Sequence, residues 1–238
     1  MTNHDKAVKF LSKYKDMLGN YPNGEIRDNR YESYLCVIEH LYKLNRPITF
    51  IETGCWHGHP NTAGGSLIMG DFIKNETGGK LITIDTESEH IDRCKDATIE
   101  YSDVIEYVCS DSVKFLNDYH GLPVDGLYLD SYDLDLEQPE PSMWHHLKEM
   151  FAVYNKMSED SIIQIDDNYP VGMWVGWDII DNNTGNIIRQ SKIDIEDEPI
   201  GKGTYVKEFL NTMGWYENTS IFIPFKLNQY IFTKRYCE

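Results

Sequence analysis

Acidic side chains follow the short apolar runs of this sequence at the points where those runs end. The acids that follow the five runs in chain order are Glu52, Asp85, Asp111, Asp130 and the adjacent pair Asp166 and Asp167. If the runs are neighbouring parallel strands, their carboxyl ends meet at one edge of a sheet, which is where ligands of open α/β sheets bind. The pattern therefore predicts a polar ligand site built largely from carboxylates.

The first two of these run ends are suited to a nucleoside that carries a positive charge. An ionised Asp85 can accept two hydrogen bonds from a vicinal ribose diol, and Gly54 and Gly58 have no Cβ to obstruct a close approach. Trp56 stands where the dinucleotide fingerprint G-x-G-x-x-G needs a glycine, and Glu52 would repel a pyrophosphate. These features favour S-adenosylmethionine, with its adenine at the turn that contains Asp111 and Ser112.

Three motifs, taken in order, resemble one known family. The segment Glu52-Thr53-Gly54-x-Trp56-x-Gly58 resembles the E-T-G-x-W-x-G motif of the macrocin O-methyltransferase family, which belongs to the class I S-adenosylmethionine-dependent methyltransferases. The segment Asp130-Ser131-Tyr132-Asp133 is similar to the acidic motif after that family's fourth strand, and Asp166-Asp167 to the acidic pair after its fifth. The resemblance covers roughly residues 48–168. It implies cofactor contacts at Glu52, Gly54, Trp56, Gly58 and Asp130, a divalent cation at the acidic motifs, and a sugar hydroxyl as acceptor.

The residues themselves also favour a metal. Asp130, Asp166 and Asp167 would place several hard oxygen ligands on adjacent strand ends, where magnesium could keep its remaining positions for water and substrate. A cation there would lower the pKa of a bound hydroxyl and hold its oxygen in line with the methyl group. The catechol-type O-methyltransferases, which this family resembles, use an adjacent Asp-Asn pair at their metal site. Asn168 would therefore replace Asp166 as a ligand if the register shifts by one residue.

The general base departs from the family pattern. Related enzymes often carry a His or Lys three residues after the metal aspartate, whereas this chain has Asp133. A carboxylate needs burial or like-charged neighbours, here Asp130 and Asp135, to raise its pKa towards neutrality. We rank Asp133 first, with Asp130 beside it as the second predicted catalytic residue. Four histidines are alternatives: His57, His59, His145 and His146.

Several of these residues have a structural interpretation as well. Asp111 and Ser112 are residue types that cap helices, so they could begin the next helix without contacting a ligand. Trp56 could be a core residue, and Asp166 with Asp167 could begin a solvated loop.

The spacing of the apolar runs indicates the elements that carry these residues. We expect strands at 48–53, 80–85, 105–109, 126–130 and 161–166, with helices near 62–74, 88–100, 112–119 and 142–156 between them. Such alternation predicts an α/β, Rossmann-like fold with a seven-stranded, mostly parallel sheet, an antiparallel C-terminal strand and helices on both faces.

The flanking parts of the chain complete this prediction of a single methyltransferase domain over 1–238. Residues 1–45 read as an N-terminal helical cap, and 167–200 as an insert that contains a hairpin and serves as a lid or an oligomer contact. A helix near 203–213 ends at Gly214, and the runs 219–225 and 229–234 are close enough to pair antiparallel.

The amino-acid composition indicates which kinds of partner the protein is expected to bind. Against 39 acidic residues there are 22 Lys and Arg, a net charge of −17, so the surface would repel phosphate backbones and anionic membranes. The 5 cysteines are scattered, which argues against a disulfide framework or a zinc site. No apolar run is long enough to span a bilayer and no signal pattern opens the chain, so we expect a cytoplasmic protein, which could form a homo-oligomer.

Three other functions are consistent with parts of the pattern. Asp133-Leu134-Asp135 matches the D-x-D of metal-dependent glycosyltransferases, which would bind a nucleotide sugar but would leave Asp85 and the pair Asp166-Asp167 unexplained. A nicotinamide-dependent oxidoreductase is disfavoured by the missing glycine fingerprint. A relative that binds the cofactor without turnover is the third. The sequence as a whole favours a methyltransferase that methylates a hydroxyl of a small molecule or sugar with magnesium assistance.

Overall fold

Strands and helices alternate along the chain from residue 48 onward. The computed structural model describes residues 1–19, 30–56, 64–172, 174–180, 187–217 and 229–234. The helices are α1 (Asn3–Leu11), α2 (Lys15–Gly19), α3 (Arg30–Leu44), α4 (Gly65–Phe72), α5 (Ser88–Ala97), α6 (Ser112–Asp118), α7 (Glu140–Val153) and α8 (Thr204–Thr212). The strands are β1 (Ile48–Thr53), β2 (Gly79–Asp85), β3 (Ile105–Cys109), β4 (Val124–Leu129), β5 (Met157–Ile165), β6 (Asn168–Tyr169), β7 (Trp174–Ile180), β8 (Ile187–Asp194), β9 (Ile200–Gly201), β10 (Tyr216–Glu217) and β11 (Tyr230–Thr233).

Seven of the strands form one sheet in the order β10-β11-β5-β4-β1-β2-β3. β1 to β5 are mutually parallel, with Ile51 opposite both Ile82 and Leu127 at the centre. β11 lies between β5 and β10 and is antiparallel to both. The predicted seven-stranded, mostly parallel sheet with an antiparallel C-terminal strand is confirmed.

Helices cover both faces of this sheet because successive strand residues point to opposite sides. Phe50 belongs to an apolar cluster that includes Phe10, Tyr34 and Phe72, so α1, α3 and α4 lie on that face. The next residue, Ile51, belongs to a second cluster formed with α6, α7 and α8, whose members include Leu116, Leu147, Met150, Val206 and Leu210. The two clusters form the core and hold the strands in fixed register.

Helix α1 begins with a complete capping box. The Thr2 hydroxyl accepts a hydrogen bond from the backbone of Asp5, whose carboxylate accepts one from the backbone of Thr2 at 2.8 Å. The Phe10 ring then meets Phe72 of α4 edge to face, with ring centres 5.3 Å apart. These contacts attach the N-terminal helices to the sheet and orient α3, whose first residue is Arg30.

The predicted elements differ from the observed ones mainly at their ends. β5 begins at Met157 rather than 161, because the polar residues 158–160 separate the buried Met157 from the apolar run and interrupt its signal. The predicted hairpin is present as β7 paired with β8. The predicted partner run 219–225 lies outside the described residues; residues 230–233 pair antiparallel with β5 and with β10. Among the described helices none has the length and apolarity needed to cross a membrane.

Candidate functional site

The five acidic strand ends lie side by side at the carboxyl edge of the sheet. A backbone hydrogen bond joins each strand end to the next: Ser110 N to Asp85 O, Gly54 N to Ile84 O, Asp130 N to Thr53 O, and Asp166 N to Leu129 O, at 2.8 to 3.2 Å. The continuous row of bonds fixes the spacing of the side chains that follow. The predicted juxtaposition of carboxylates at one edge is therefore present.

Gly54 allows the first loop to pack directly on the end of β4. Its φ is +82°, in the left-handed region, and a Cβ at this position would lie 2.3 Å from the carbonyl oxygen of Asp130. Only glycine is compatible with both the backbone conformation and this contact. Residues 54–56 at the start of the loop after β1 and the backbone of Asp130 therefore form one continuous wall.

Glu52 lies beneath this wall rather than on its surface. Its side chain is 2% exposed and its Oε2 accepts hydrogen bonds from Ser66 of α4 and, at 2.7 Å, from Thr83 of β2. Burial raises the pKa of Glu52 to about 8, although the two hydroxyls counteract it. Glu52 thus joins β1, β2 and α4 below the loop, and its predicted cofactor contact stays a prediction.

Asp85 lies beside the first loop. Its Oδ2 is 3.4 Å from the backbone nitrogen of Cys55, and its Oδ1 accepts a hydrogen bond from the Glu87 backbone at 2.9 Å. The side chain is 14% exposed, and each oxygen has a second, longer contact: Oδ2 lies 3.6 Å from Sγ of Cys55 and Oδ1 lies 3.4 Å from Nδ1 of His90. The arrangement is compatible with the predicted role in holding a ribose diol.

The remaining predicted cofactor residues surround this position. Asp111 caps α6 by accepting a hydrogen bond from Lys114 N at 2.7 Å, so its structural interpretation is confirmed, and its carboxylate is exposed. The hydroxyl of Ser112 is buried and lies 3.1 Å from Nε2 of His145. The backbone of Trp56 donates to Ser66 at 3.0 Å. Gly58 lies outside the described residues, as do His57 and His59.

Asp130, Asp166 and Asp167 come together as predicted. One carboxylate oxygen from each lies within 4.8 Å of the others. Asp167 has a φ of +48°, which turns the chain sharply after β5 and returns its side chain towards Asp130. The side chains of Asp130 and Asp167 are each 29% exposed, whereas that of Asp166 is 2% exposed.

Two basic residues that the sequence analysis did not include neutralise this cluster. The ammonium of Lys202 bonds Oδ1 of Asp130 and lies 3.0 Å from Oδ2 of Asp167. The guanidinium of Arg30, at the start of α3, lies 3.0 Å from Oδ2 of Asp166. Three carboxylates therefore face two cations, and the cluster keeps one negative charge when all five groups are ionised.

The pKa values follow this distribution of charge. Burial alone would raise the pKa of Asp166, but Arg30 and Lys202 outweigh burial and hold it below its usual value. For Asp130, burial together with the neighbouring carboxylates raises the pKa to about 7 despite Lys202. Burial would lower the pKa of Lys202, but the surrounding carboxylates raise it, so the side chain remains an ammonium.

The arrangement does not fit a divalent cation at the predicted place. Both oxygens of Asp166 are already engaged, since Gln229 donates to Oδ1 at 3.0 Å, and Tyr128 donates to Oδ2 at 2.9 Å beside Arg30. The Lys202 ammonium stands between the other two carboxylates. Magnesium would need oxygen atoms at about 2.1 Å, in space that Lys202 fills. We therefore derive no chemical step through a metal.

Asn168, the alternative ligand, is directed elsewhere. Its side-chain nitrogen donates to the carbonyls of Ile165 and Asp166, and its Oδ1 accepts from the backbone of Gly203 at 2.7 Å. These bonds fix the loop after β5. The amide is not a ligand in this arrangement.

The candidate bases occupy different environments. Asp133 is exposed in the loop after β4, as is Asp135, whose Oδ1 accepts from the Glu137 backbone at 2.9 Å. His146 is fully buried, and burial lowers its pKa to about 4. His145 lies 3.4 Å from buried Glu149. Asp130 combines partial exposure, a position next to Gly54 and a pKa raised to about 7, and the assignment of the base stays a prediction.

One signal in the sequence could have indicated Lys202. It lies between Gly201 and Gly203, both buried, where added Cβ atoms would come within 2.6 Å of Asn168 Cα and 2.7 Å of the Tyr230 ring. Two glycines around a lysine indicate close backbone packing rather than an exposed charge. Arg30 gave no comparable signal.

Known structures share this fold at low sequence identity. A putative rRNA methylase from Clostridium thermocellum is 12% identical, with a TM-score of 0.51 over 88% of this chain and 97% of that chain. A Corynebacterium glutamicum protein is 11% identical, with a TM-score of 0.51 over 99% of this chain and 91% of its own. Neither a protein-family model nor a curated protein matches the sequence. The similarity shows a Rossmann-like fold of the kind found in methyltransferases, and membership of the macrocin O-methyltransferase family stays a prediction.

Proposed function

We propose that this protein is an S-adenosylmethionine-dependent methyltransferase that methylates a hydroxyl oxygen of a small molecule or sugar. The observation that carries the proposal is the position of Asp85, whose partly exposed carboxylate lies beside the glycine loop after β1 at the carboxyl edge of the sheet. A ribose diol held there would place the rest of a nucleoside between the loop and the turn at Asp111.

The charge of the edge suits this cofactor. The cluster of Asp130, Asp166 and Asp167 keeps one negative charge after pairing with Lys202 and Arg30. A sulfonium cofactor with an amino acid end would bring positive charge to that position, whereas a pyrophosphate would be repelled. The fold and the charge therefore favour the same cofactor.

Methyl transfer needs an acceptor oxygen in line with the carbon–sulfur bond and a group that takes the hydroxyl proton. In the transfer the oxygen–carbon bond forms as the carbon–sulfur bond breaks, and the proton goes to a carboxylate. Asp130, with a pKa of about 7, can accept that proton near neutral pH. Positioning of the two reactants beside Asp85 and the side chain of Asp130 would supply most of the acceleration. Asp133 is the alternative base from an exposed loop.

The acceptor is proposed from the resemblance and from charge. A sugar or other neutral hydroxyl compound suits an acidic site, and the macrocin O-methyltransferase family implies the same class. The exclusion of nucleic acid rests on the net charge of −17 and stays a prediction, since a protein of this fold is described as a putative rRNA methylase. The 167–200 insert stays proposed as a lid or an oligomer contact.

Calorimetric titration with S-adenosylhomocysteine tests the proposal. The metal-stripped protein should bind it with a micromolar Kd, and a uridine-diphosphate sugar should not bind. Asp85→Ala should weaken the affinity by at least about tenfold, because the ribose diol loses its acceptor. Asp92→Ala on the exposed face of α5 is the matched control and should leave binding unchanged.

The outcomes separate the competing functions. Metal-dependent binding of the sugar nucleotide, without binding of S-adenosylhomocysteine, would show that the D-x-D interpretation is correct and the methyltransferase proposal wrong. Equal affinity in Asp85→Ala, with an unchanged melting temperature, would remove Asp85 from the site. If binding holds, screening of hydroxyl acceptors for methyl transfer follows.

A further inference from the structure

Lys202 occupies the centre of the acidic edge. Its side chain is 2% exposed, a rare condition for a lysine, and its ammonium joins Asp130 to Asp167 across the gap between β4 and β5. Buried ammonium groups persist only when carboxylates surround them. Here two carboxylates contact the ammonium and a third, Asp166, adds to the field that keeps it protonated.

The backbone around Lys202 is hydrogen-bonded to the loop after β5, the loop that carries Asp167, which the Lys202 side chain also contacts. The nitrogen of Lys202 donates to the carbonyl of Asp167 at 3.1 Å. Gly201 pairs with Asn168 between β9 and β6, and the nitrogen of Gly203 donates to Asn168 at 2.7 Å. Neither flanking position has room for a Cβ. The lysine is therefore held on both sides, and its placement is part of the fold.

The position that the ammonium takes is the one where a metal ion would otherwise bind. The three carboxylates converge within 4.8 Å, as ligands of a divalent cation do. A dication added beside the ammonium would meet a like charge at contact distance, and both oxygens of Asp166 already have partners in Gln229, Tyr128 and Arg30. The same carboxylates cannot serve both cations at once.

We propose that the Lys202 ammonium replaces the divalent cation in this chain and acts as the positioning residue that holds Asp130 and Asp167 in place. The site then binds its ligands without a metal. The role of Asp130 in methyl transfer rests on the proposed function, whereas the identity of the cation does not and can be tested separately.

Binding of Mn²⁺, a paramagnetic substitute for magnesium with similar preference for oxygen ligands, tests this proposal directly. Electron paramagnetic resonance should detect no specific Mn²⁺ site in the metal-stripped wild type. Lys202→Met removes the ammonium and keeps an apolar chain of similar length. This variant should melt at a lower temperature, bind Mn²⁺ at least about tenfold more tightly than the wild type, and recover melting temperature when Mn²⁺ is added.

Lys13→Met is the matched control. Lys13 pairs with a single buried carboxylate, Asp71, at a distance from the cluster, so its loss should lower stability without any response to Mn²⁺. If Lys202 had only a structural role, both variants would melt at a lower temperature and neither would respond to Mn²⁺. That result would overturn the proposal.

The wild type decides the matter even if Lys202→Met does not fold. One equivalent of Mn²⁺ bound with a micromolar Kd, and lost in Asp167→Asn, would show that a metal displaces the ammonium and would overturn the proposal. Absence of that binding supports it. Titration with S-adenosylhomocysteine, run on the same preparations, reports the proposed function independently, so its failure is distinguishable from failure of the lysine assignment.

Discussion

Replacement of Glu52 by glutamine should make the protein increasingly stable relative to the wild type as pH rises from acidic to alkaline values. Glu52 is buried and accepts bonds from Ser66 and Thr83, and its pKa is raised from 4.5 to about 8. The folded state therefore holds a proton that the unfolded state releases above pH 4.5. This contribution to stability is complete below the unfolded pKa and is lost as pH rises through the folded pKa.

The magnitude follows from the shift. At about 1.36 kcal/mol per pKa unit, the wild type should lose about 3.5 kcal/mol of this contribution between pH 5 and pH 8. Glutamine keeps an acceptor oxygen for both hydroxyls and does not titrate. The free energy of unfolding of Glu52→Gln minus that of the wild type should therefore increase by the same amount over that interval.

Urea denaturation of both proteins at several pH values measures this difference. Glu89→Gln, an exposed position on α5, is the control and should run parallel to the wild type at every pH. Parallel curves for Glu52→Gln as well would refute the reasoning, because they would show that Glu52 is ionised in the folded state and that burial does not govern its pKa.

Three further substitutions test the packing of Gly54, the cap of α6 and the ion pair between Arg30 and Asp166. Gly54→Ala should destabilise by more than Gly172→Ala in urea, since both glycines have a left-handed φ but only Gly54 would press a Cβ on the Asp130 carbonyl. Asp111→Ala should cost about 1 kcal/mol of stability through loss of the α6 cap, whereas Asp111→Ser should restore the cap; a loss of S-adenosylhomocysteine affinity in both variants would indicate that the carboxylate contacts the adenine. Arg30→Met should cost about 3 kcal/mol by leaving Asp166 without its guanidinium, and this loss should diminish towards acidic pH, because Asp166 becomes protonated more readily once Arg30 no longer holds its pKa down.

The edge of the sheet was predictable because each acid directly follows an apolar run. Parallel strands align their carboxyl ends, so Asp85, Asp130 and Asp166 had to meet if the runs were strands. Burial of individual carboxylates was not predictable in the same way. Glu52 and Asp85 each follow an apolar run, yet Glu52 lies inside β1 opposite Thr83, and its partners Ser66 and Thr83 come from α4 and β2. Those contacts exist only after the helix has packed.

The cations of the cluster were missed for a related reason. Arg30 and Lys202 lie outside the segments that carry the strands, and the fold alone brings them to Asp166 and Asp167. A cluster of carboxylates in a sequence indicates that a cation binds there but does not specify which cation, and the sequence analysis assigned magnesium. Gly201 and Gly203, on either side of Lys202, were a sign in the sequence that this lysine is closely packed and could be the cation of the cluster.

The pairing of the last strand also depended on distant residues. Proximity in sequence favoured a hairpin between 219–225 and 229–234, and this prediction stays untested because 219–225 lies outside the described residues. Residues 230–233 pair antiparallel with β10 on one side and with β5 on the other, where Phe232 lies opposite Ile163. The pairing with β5 joins segments far apart in the chain, which proximity in sequence does not indicate.

The position of β11 has a consequence for folding during synthesis. β5 and β10 both emerge from the ribosome before β11, yet they cannot join the same sheet without it, because β11 lies between them. Until then β5 exposes a row of unpaired backbone groups that another nascent chain could capture. Insertion of β11 closes that edge and brings Gln229 to Asp166 in the same step. Completion of the sheet and completion of the acidic cluster are therefore one event, and aggregation before it should depend on how quickly this segment emerges.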